Sequence, residues 1–415
     1  RSAALSASSW PLFSTIAGKR RQPSGAAEPH RSPMHDAIVV GGGPAGLYAA
    51  TLMAEGGLDV LVLEEDAAIG VPTHCTGIVS AEVYDLYKIP EHTLLERVSR
   101  CVLLSPGQVR AEFESPGEEI AVLDRAAFDQ ALTVTAEKAG ATVVTGCRVD
   151  AIQNGRDAVD VSTAAGRSVR ARSVVLACGV TYRFHGLLGS RPPALVLHTA
   201  QLELDAEPAD ALEIHLGRNV APDGFAWLVP IRRGARARIK AGVLMRGDAR
   251  AHLQAFIERP TVAGRLREPA GDPIRRILPL QPVRRSFGER IIAVGDAAGL
   301  TKPVTGGGIF YSLLSAAMAA QTLTEALCED DLRAERLSRY EARWRQRLMP
   351  EIRAGRWFRH LLANLPDHQL DRFVEAVASD DVRAVIAQSA RFNWHRAVIM
   401  AILRRPGIKA ILLRS

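Results

Sequence analysis

Short apolar runs alternate with helical spacing in the first part of the chain. Residues 36–40 and 59–64 each carry a continuous apolar core, which is typical of strands buried on both faces of a parallel sheet. Residues 44–56, between them, have helical spacing, and Pro44 occupies a first-turn position that suits proline. This order predicts a β-α-β unit that starts near residue 36.

Similar segments return later, on both sides of a region with a different pattern. Residues 195–247 alternate apolar and polar positions between turn signals, which predicts an antiparallel sheet. From residue 332 onward the spacing is helical, and we expect breaks at Pro350, Pro366 and Pro406. The other predicted elements are a helix at 124–140, strands at 141–145, 173–178 and 291–295, and a helix at 308–327.

The composition limits the class of protein. The chain has 415 residues, 47% of them hydrophobic and 23% charged, and this length predicts two or three sub-domains. Its five cysteines are an odd number without Cys-x-x-Cys spacing, which argues against a disulfide framework and against a zinc site. We therefore expect no bound metal and a reducing compartment.

The net charge of +7 is concentrated at the two ends of the chain. Residues 1–33 carry +4 and residues 391–415 carry +6, which leaves −3 for residues 34–390. An acidic body with basic ends is not typical of a nucleic-acid-binding domain, so we expect no nucleic-acid partner. The segment from Asn393 to Leu413 is apolar on one side and basic on the other. It is a candidate for contact with an anionic membrane surface, and the alternative is a packing helix with a solvated basic face.

The first 33 residues are rich in Ser, Ala, Pro and Arg and lack the apolar centre of a secretory signal. We expect a disordered leader with Met34 as the natural start, and the alternative is a targeting extension. No run of 18 apolar residues occurs, so we predict no transmembrane helix. The expected location is the cytoplasm, with peripheral contact at the inner face of the membrane.

A glycine-rich turn follows the first predicted strand. Gly41 suits the tight turn, Gly43 lets a pyrophosphate approach the backbone, and Gly46 lets the helix pack close to the strand. Ala45 lies in the same first turn, whose free N–H groups favour phosphate. Glu64, at the end of the second strand, is placed to accept both hydroxyls of an adenosine ribose. This context predicts a dinucleotide-binding site.

A second motif favours FAD over NAD. The strand at 291–295 ends in Gly295 and Asp296. In flavoproteins with two dinucleotide-binding domains such an aspartate accepts hydrogen bonds from the ribityl chain, whereas an isolated Gly-Asp often only caps a helix. A run of three glycines ending at Gly308 precedes Ile309 and opens the next helix. Its backbone N–H groups are placed to reach the pyrimidine edge of a flavin.

These motifs resemble the geranylgeranyl reductase family, within the larger group of flavoproteins that includes p-hydroxybenzoate hydroxylase. The resemblance covers most of residues 36–330, and it rests on residues 41–46 with Glu64, residues 75–77, residues 222–230, and residues 295–299 followed by 305–309. It implies an α/β fold. A Rossmann-like FAD domain of the two-dinucleotide-binding type would hold an inserted antiparallel substrate sheet, with a helical region at the C-terminus. The expected bounds are 34–105, 121–185 and 275–330 for the FAD-binding domain, 106–120 and 186–274 for the substrate-binding sheet, and 331–415 for the helical region.

The stretch from Pro222 to Pro230 is the most discriminating of these. The family pattern is PxxYxWxFP, in which Phe225 replaces the usual Tyr and Val229 the usual Phe, while Trp227 and both prolines match. In the family this stretch lines the substrate pocket beside the flavin, and a rigid apolar wall suits an isoprenoid chain. The alternative is a core strand with a proline at each end.

Two further site residues depend on the resemblance. Cys75, Thr76 and Gly77 form a loop that packs near the flavin in the family, although the glycine comes one residue earlier here than in the family's Cys-x-x-Gly. We expect Cys75 and Thr76 to contact the cofactor, and the alternative for Cys75 is a buried thiol without a role. Arg125 is expected near the flavin and its phosphates, and the alternative is a surface ion pair. We assign no catalytic residue, and Cys75 is no more than a candidate.

The resemblance implies an FAD-dependent oxidoreductase that reduces C=C bonds of a geranylgeranyl or polyprenyl chain by hydride transfer from reduced flavin. The expected substrate is a prenyl lipid, a prenyl diphosphate, a quinone or a pigment, and the expected electron donor is NADPH or a ferredoxin-like carrier protein. Two alternatives are an FAD-dependent aromatic monooxygenase or halogenase, and a quinone-linked electron-transfer flavoprotein. A halogenase-like WxWxIP run is not found, and only Cys328 lies in the C-terminal third, which counts against an iron–sulfur cluster.

Overall fold

The computed structural model describes residues 34–114, 120–268 and 271–413. The expected leader at 1–33 and part of the expected substrate sheet, residues 115–119, lie outside the described residues. The strands are β1 Met34–Val40, β2 Val60–Leu63, β3 Ile78–Ser80, β4 Leu94–Val98, β5 Arg100–Leu104, β6 Arg110–Glu114, β7 Ile120–Leu123, β8 Thr142–Val144, β9 Val149–Asn154, β10 Val159–Thr163, β11 Ser168–Leu176, β12 Val196–Asp205, β13 Ala211–His215, β14 Phe225–Arg233, β15 Arg236–Met245, β16 Ile274–Pro279, β17 Phe287–Gly288 and β18 Ile291–Ala293. The helices are α1 Pro44–Glu55, α2 Glu82–Tyr87, α3 Arg125–Ala139, α4 Ala249–Ile257, α5 Pro260–Ala263, α6 Ile309–Cys328, α7 Ala334–Asn364, α8 Asp367–Ala378, α9 Asp380–Ser389, α10 Arg396–Leu403 and α11 Pro406–Leu413.

An eight-stranded sheet carries the predicted β-α-β unit. Strand β1 pairs in parallel with β2 and with β11, and the parallel part continues to β8 on one side and to β18 on the other. The centre of β1 is fully buried at Ile38 and Val39, because helices α1, α3 and α6 pack together with this sheet. Burial on both faces explains the continuous apolar runs of its strands. This arrangement confirms the Rossmann-like part of the predicted fold.

The predicted antiparallel region forms a second sheet of seven strands, in the order β16-β12-β15-β14-β13-β5-β6. Its pairs are antiparallel, except that β13 runs parallel to β5. The side chains of one face pack with α4, and those of the other face pack with the three-stranded sheet β3-β7-β4. Strands β5 and β16, which the expected bounds placed with the FAD-binding segments, hydrogen-bond into this second sheet, because their partners β13 and β12 lie there.

Helices α7 to α11 form the C-terminal region. Helix α7 runs through Pro350, so the predicted break at this residue is wrong. Leu348 and Ile352, on either side of the proline, are buried in the core, and this packing outweighs the backbone hydrogen bond that proline cannot make. The breaks at Pro366 and Pro406 are confirmed, since α8 begins just after the first and α11 begins at the second. In the described part of the chain, no helix is both long and apolar enough to cross a membrane.

Candidate cofactor and substrate site

The turn between β1 and α1 has the shape of a phosphate cradle. Gly41 has a φ of +111°, and a β-carbon there would overlap the carbonyl oxygen of Ala177. A β-carbon on Gly46 would overlap the carbonyl oxygen of Gly41, so the helix packs directly on the turn. At Gly43, by contrast, a β-carbon would have no neighbour within 4 Å. The turn is therefore closed on its protein side and open where a pyrophosphate would approach the helix N-terminus.

Glu64 is held against this turn at the end of β2. One carboxylate oxygen accepts a hydrogen bond from the Gly42 backbone N–H at 2.5 Å, and the other accepts one from the Asp66 N–H at 2.8 Å. The side chain is thus fixed at the edge of the cradle, where the sequence predicts a contact with an adenosine ribose. The contact with the ribose stays a prediction.

The second motif meets the first at the N-termini of two helices. Gly295 lies so close to α1 that a β-carbon on it would be 3.0 Å from the Ala45 methyl group and 2.8 Å from the hydroxyl of Ser312 on α6. A β-carbon on Gly308 would lie 3.0 Å from a carboxylate oxygen of Asp296. The following residue, Ile309, is buried in the core. The fold therefore brings Ala45, Gly295, Asp296 and Gly308 together, although they are far apart in the sequence.

Asp296 is a half-buried acid, and in the described part of the chain no group donates a hydrogen bond to its carboxylate. Burial raises the pKa of this carboxyl to about 6, against an opposing effect of Arg125. Carboxylate oxygens with free lone pairs fit the hydroxyl groups of a ribityl chain, which are hydrogen-bond donors. The residues present therefore fit an FAD molecule at this position.

Two residues that the sequence analysis missed hold the Asp296 turn. The Tyr182 hydroxyl donates a hydrogen bond to the carbonyl of Asp296 at 3.0 Å, and the His185 Nε2 lies 2.6 Å from the carbonyl of Ala297. Burial lowers the pKa of His185, so the imidazole is neutral and donates from Nε2. Neither residue belongs to a motif, and no sequence signal marks them.

Arg125 opens α3 beside the Cys75–Gly77 loop. Its Nη2 donates to both carboxylate oxygens of Asp129 at 2.9 Å, and both side chains are almost completely buried, so this ion pair is not on the surface. The Arg125 Nε atom is also buried and has no hydrogen-bond partner among the described residues. A β-carbon on Gly77 would lie 3.3 Å from the Arg125 side chain. The Arg125 guanidinium also interacts with the Cys75 thiol, so this arginine is tied to the loop.

A buried lysine, also missed by the sequence analysis, ties this loop to the seven-stranded sheet. Lys240 lies on β15, and its Nζ donates to the carbonyl of Thr76 at 2.8 Å and to that of Leu123 at 3.1 Å. The Thr76 hydroxyl donates to the side-chain oxygen of Gln201 on β12 at 2.8 Å. Burial lowers the pKa of Lys240 to about 8. A charged residue at the start of the apolar run 239–245 was the available sequence signal.

The predicted aromatic wall lies on β14. Phe225 and Trp227 project from one face of the strand, with ring centroids 5.9 Å apart. The indole lies directly over Gly242, where any β-carbon would overlap the ring. Leu244, the cross-strand partner of Phe225, has a methyl group 3.2 Å from the position of a β-carbon on Gly306. The wall therefore reaches the glycine loop that precedes α6.

The two prolines of this stretch lie elsewhere. Pro230 is three residues beyond Trp227, so strand alternation places it on the opposite face. Pro222 precedes the strand, and its carbonyl accepts a hydrogen bond from the Arg246 N–H at 2.9 Å. The structure thus brings Phe225 and Trp227 together on one face of β14. It does not place Pro222 or Pro230 on that face.

A small cavity of about 70 Å³ lies between the start of β14 and helix α7. Phe225, Val304 and Leu362 contribute apolar lining. Arg359 also lines it, and its guanidinium donates to the carbonyls of Asp223 at 2.6 Å and Pro303 at 3.0 Å. The cavity joins the aromatic wall, the loop before α6 and the C-terminal helices.

Comparison with known proteins shows the family. Residues 39–84 match the NAD(P)-binding Rossmann-like domain, and residues 85–268 match the FAD dependent oxidoreductase family. A digeranylgeranylglycerophospholipid reductase of Methanopyrus kandleri is 32% identical over 377 residues, which cover 85% of this chain and 92% of that protein. The chain belongs to the geranylgeranyl reductase family. A second member, the digeranylgeranylglycerophospholipid reductase of Methanocaldococcus jannaschii, is 28% identical over 83% of this chain and 90% of its own length.

Solved structures agree on the fold of this geranylgeranyl reductase family member. A geranylgeranyl bacteriochlorophyll reductase-like protein of Thermoplasma acidophilum superposes with a TM-score of 0.80 at 22% identity, over 92% of this chain and 98% of that one. The p-nitrophenol 4-monooxygenase of Pseudomonas putida superposes with a TM-score of 0.67 at 18% identity, over 86% of this chain and 97% of that one. These likenesses show the fold alone. The family places the chain among FAD-dependent oxidoreductases.

Proposed function

We propose that this protein reduces the C=C bonds of geranylgeranyl chains carried by a glycerophospholipid. The observation that carries the proposal is that Leu244, beside the aromatic wall, meets the glycine loop at Gly306, two residues before Gly308, which lies against Asp296. This junction would place an apolar chain beside a flavin. The family supports the substrate class, since the relatives above are named for a digeranylgeranyl glycerophospholipid. A free prenyl diphosphate, a quinone or a pigment tail is the alternative substrate.

The predicted cofactor residues belong mainly to two motifs, which would bind different parts of the FAD molecule. Gly41, Gly43, Ala45 and Gly46 would hold the pyrophosphate at the N-terminus of α1. The other cofactor residues are Glu64 for the ribose, Asp296 and Gly295 for the ribityl chain, Arg125, Cys75 and Thr76 beside the ring, and Gly308 with Ile309 at the start of α6. Once reduced, bound FAD would supply the hydride that is transferred to an alkene carbon.

An isolated alkene has no carbonyl group that the protein could polarise. The contribution of the chain is therefore orientation of the substrate and exclusion of water. Phe225 and Trp227 would provide one flat apolar side of the slot, and Leu244 would close it at the glycine loop. Lys240 would keep the Thr76 loop in place on the other side. We assign no proton donor.

The electron donor and the location complete the proposal. We infer that NADPH or a ferredoxin-like carrier reduces the flavin transiently. We also infer a cytoplasmic protein that contacts the inner face of the membrane, because its five cysteines are free thiols and its substrate is a lipid.

An anaerobic single-turnover experiment tests the activity. The flavin is reduced with dithionite, digeranylgeranylglycerophospholipid is added, and the lipid mass is followed. We expect a gain of two mass units for each reduced double bond. The variant Trp227→Ala should slow this step, while Val134→Ala, at an exposed apolar residue of α3 outside the wall, should not.

Two other results of this experiment would contradict the proposal. If reduced protein leaves every prenyl lipid unchanged but hydroxylates an aromatic compound in oxygen, the monooxygenase alternative replaces this proposal. If only the free prenyl diphosphate gains mass, the substrate class is wrong and the reaction type stands.

A further inference from the structure

The outer sides of α7 and α10 carry arginines that have no acidic partner. Arg353 and Arg356 on α7, Arg396 on α10 and Arg404 directly after α10 are exposed, and none of their guanidinium groups has a carboxylate within 4.0 Å in the described part of the chain. Several other surface arginines do have an acidic partner. Arg333 with Asp331, at 2.8 Å, is an example. Four unpaired cations on two helices therefore form a positive surface.

The same helices expose two large apolar side chains. Trp357 and Met400 are each 45% exposed, which makes them two of the few large apolar residues that face solvent in the described chain. Trp357 lies four residues after Arg353, and Met400 lies four residues from both Arg396 and Arg404, so each shares a helix face with its arginines. We call these six residues, Arg353, Arg356, Trp357, Arg396, Met400 and Arg404, the basic face. Helix α10 packs against α7, which makes the two parts neighbours.

Among the described contacts, two acidic residues lie near the four arginines of the basic face. Glu351, on α7, accepts a hydrogen bond from the backbone N–H of Arg396 at 2.8 Å. Asp381, at the start of α9, lies 3.8 Å from Arg405. Helices α10 and α11 contain no acidic residue. The field at this surface is therefore positive, and an anionic partner would be attracted to it.

Helix α7 lies between the basic face and the small cavity beside Phe225. Arg359 and Leu362 line the cavity beside Phe225, whereas Arg356 and Trp357, within the same two turns of helix, face solvent. One helix thus separates the cavity from the basic face.

We propose that the basic face docks on the surface of an anionic lipid bilayer. The four arginines would contact lipid phosphate groups, and Trp357 and Met400 would enter the boundary between headgroups and acyl chains. Tryptophan prefers this boundary because its ring is amphipathic. The inference deepens the proposed function and rests on it for the reason why a membrane is the partner. Lys409, which is exposed on α11, would add to the same attraction.

Vesicle co-sedimentation of the full chain tests the docking. Vesicles of phosphatidylglycerol mixed with phosphatidylcholine should bind the protein, and vesicles of phosphatidylcholine alone should bind much less. Each arginine near an anionic surface contributes about fivefold to binding, so R353Q/R356Q and R396Q/R404Q should each bind about 25-fold more weakly. Addition of anionic vesicles should shift the tryptophan emission of the wild type to shorter wavelength, and W357F should lose most of this shift. R167Q/R191Q, at two exposed arginines that also lack a carboxylate partner, is the matched control and should bind like the wild type.

The outcomes separate docking from catalysis. If both double variants bind anionic vesicles as well as the wild type does, or if the control loses as much binding as they do, the docking proposal is wrong. Turnover is measured in parallel with substrate dispersed in detergent, where no bilayer is needed, and the variants should keep wild-type turnover there. Selective loss of vesicle binding would support the basic face even if no prenyl lipid were reduced, in which case only the proposed function would fail.

Discussion

At the scale of single residues, Asp296 is the side chain whose environment serves binding at the cost of stability. Its carboxylate is half-buried and receives no hydrogen bond from the described residues, and loss of solvation raises its pKa from the ordinary 3.8 to about 6. The folded chain without cofactor therefore holds this proton more tightly than the unfolded chain does. As pH rises from about 4 to about 6, ionisation of Asp296 lowers the free energy of unfolding, and the penalty is complete above pH 6.

We expect Asp296→Asn to stabilise the cofactor-free protein and weaken the binding of FAD. A shift of this size corresponds to about 3 kcal/mol of unfolding free energy, which the amide does not lose because it cannot ionise. Urea unfolding of the cofactor-free protein should show the gain at pH 7.5 and little of it at pH 4. Titration with FAD should show at least about tenfold weaker binding, since a charged acceptor is lost. A variant less stable than the wild type at pH 7.5 would show that the carboxylate has a stabilising partner in the folded chain.

At the scale of elements, the turn before α1 offers two glycines with opposite environments. Gly43→Ala puts a methyl group into open space, so we expect a change in unfolding free energy below about 1 kcal/mol but at least about tenfold weaker FAD binding. Gly46→Ala places its methyl group on the carbonyl of Gly41, so we expect a loss above about 3 kcal/mol or no folded protein. Thermal unfolding without cofactor and an FAD titration measure both effects. Equal loss of stability in the two variants would contradict this assignment of roles.

The elements themselves were largely predictable from the sequence. The β1-α1-β2 unit, the long helix α6 and the antiparallel strands from β12 to β15 follow from apolar periodicity, which responds to burial on one or both faces. The break at Pro350 was wrongly predicted because local propensity disfavours proline in a helix. The burial of Leu348 and Ile352 on either side of the proline keeps the helix continuous. Apolar periodicity indicates which face of an element is buried. It does not indicate how much stability the packing of that face contributes.

The candidate site was predictable only where a turn requires a particular residue. The glycines of the turn were recognisable in the sequence because no other residue fits the close contacts at Gly41 and Gly46. Lys240, Tyr182 and His185 were missed since their partners are backbone carbonyls of segments far away in the sequence, and every residue has such a carbonyl. A pairing that uses a group common to all residues leaves no sequence signature.

At the scale of the whole molecule, polar contacts join the seven-stranded sheet to the FAD-binding part. Arg233 on β14 bridges Glu203 on β12 and Asp124 at the start of α3. Lys240 on β15 holds the carbonyls of Thr76 and Leu123. The ion pairs of Arg233 contribute little to stability because water screens them. Lys240 is buried, and its removal would leave both of its carbonyl acceptors without a hydrogen bond. Lys240 is therefore the main polar link across this boundary.

We expect Lys240→Met to change the pH dependence of stability for the whole chain. Burial lowers the pKa of Lys240 from 10.5 to about 8, so the unfolded chain binds more protons than the folded chain between these values. Stability contributed by the lysine therefore rises with pH across this window, by up to about 3 kcal/mol, and the advantage of the wild type over the variant should widen accordingly. Urea unfolding at pH 7.5 and pH 10 measures it, with Lys138→Met at an exposed lysine as the control.

The binding of FAD decides whether this link matters for the site. Loss of Lys240 releases the Thr76 loop, so the variant should bind FAD more weakly even at pH 7.5, while the exposed Lys138→Met should bind as the wild type does. A flat stability difference between pH 7.5 and pH 10 would mean that Lys240 reaches water and is not buried against the loop. An unchanged FAD affinity together with the expected pH dependence would mean that the lysine joins the two parts without shaping the flavin site.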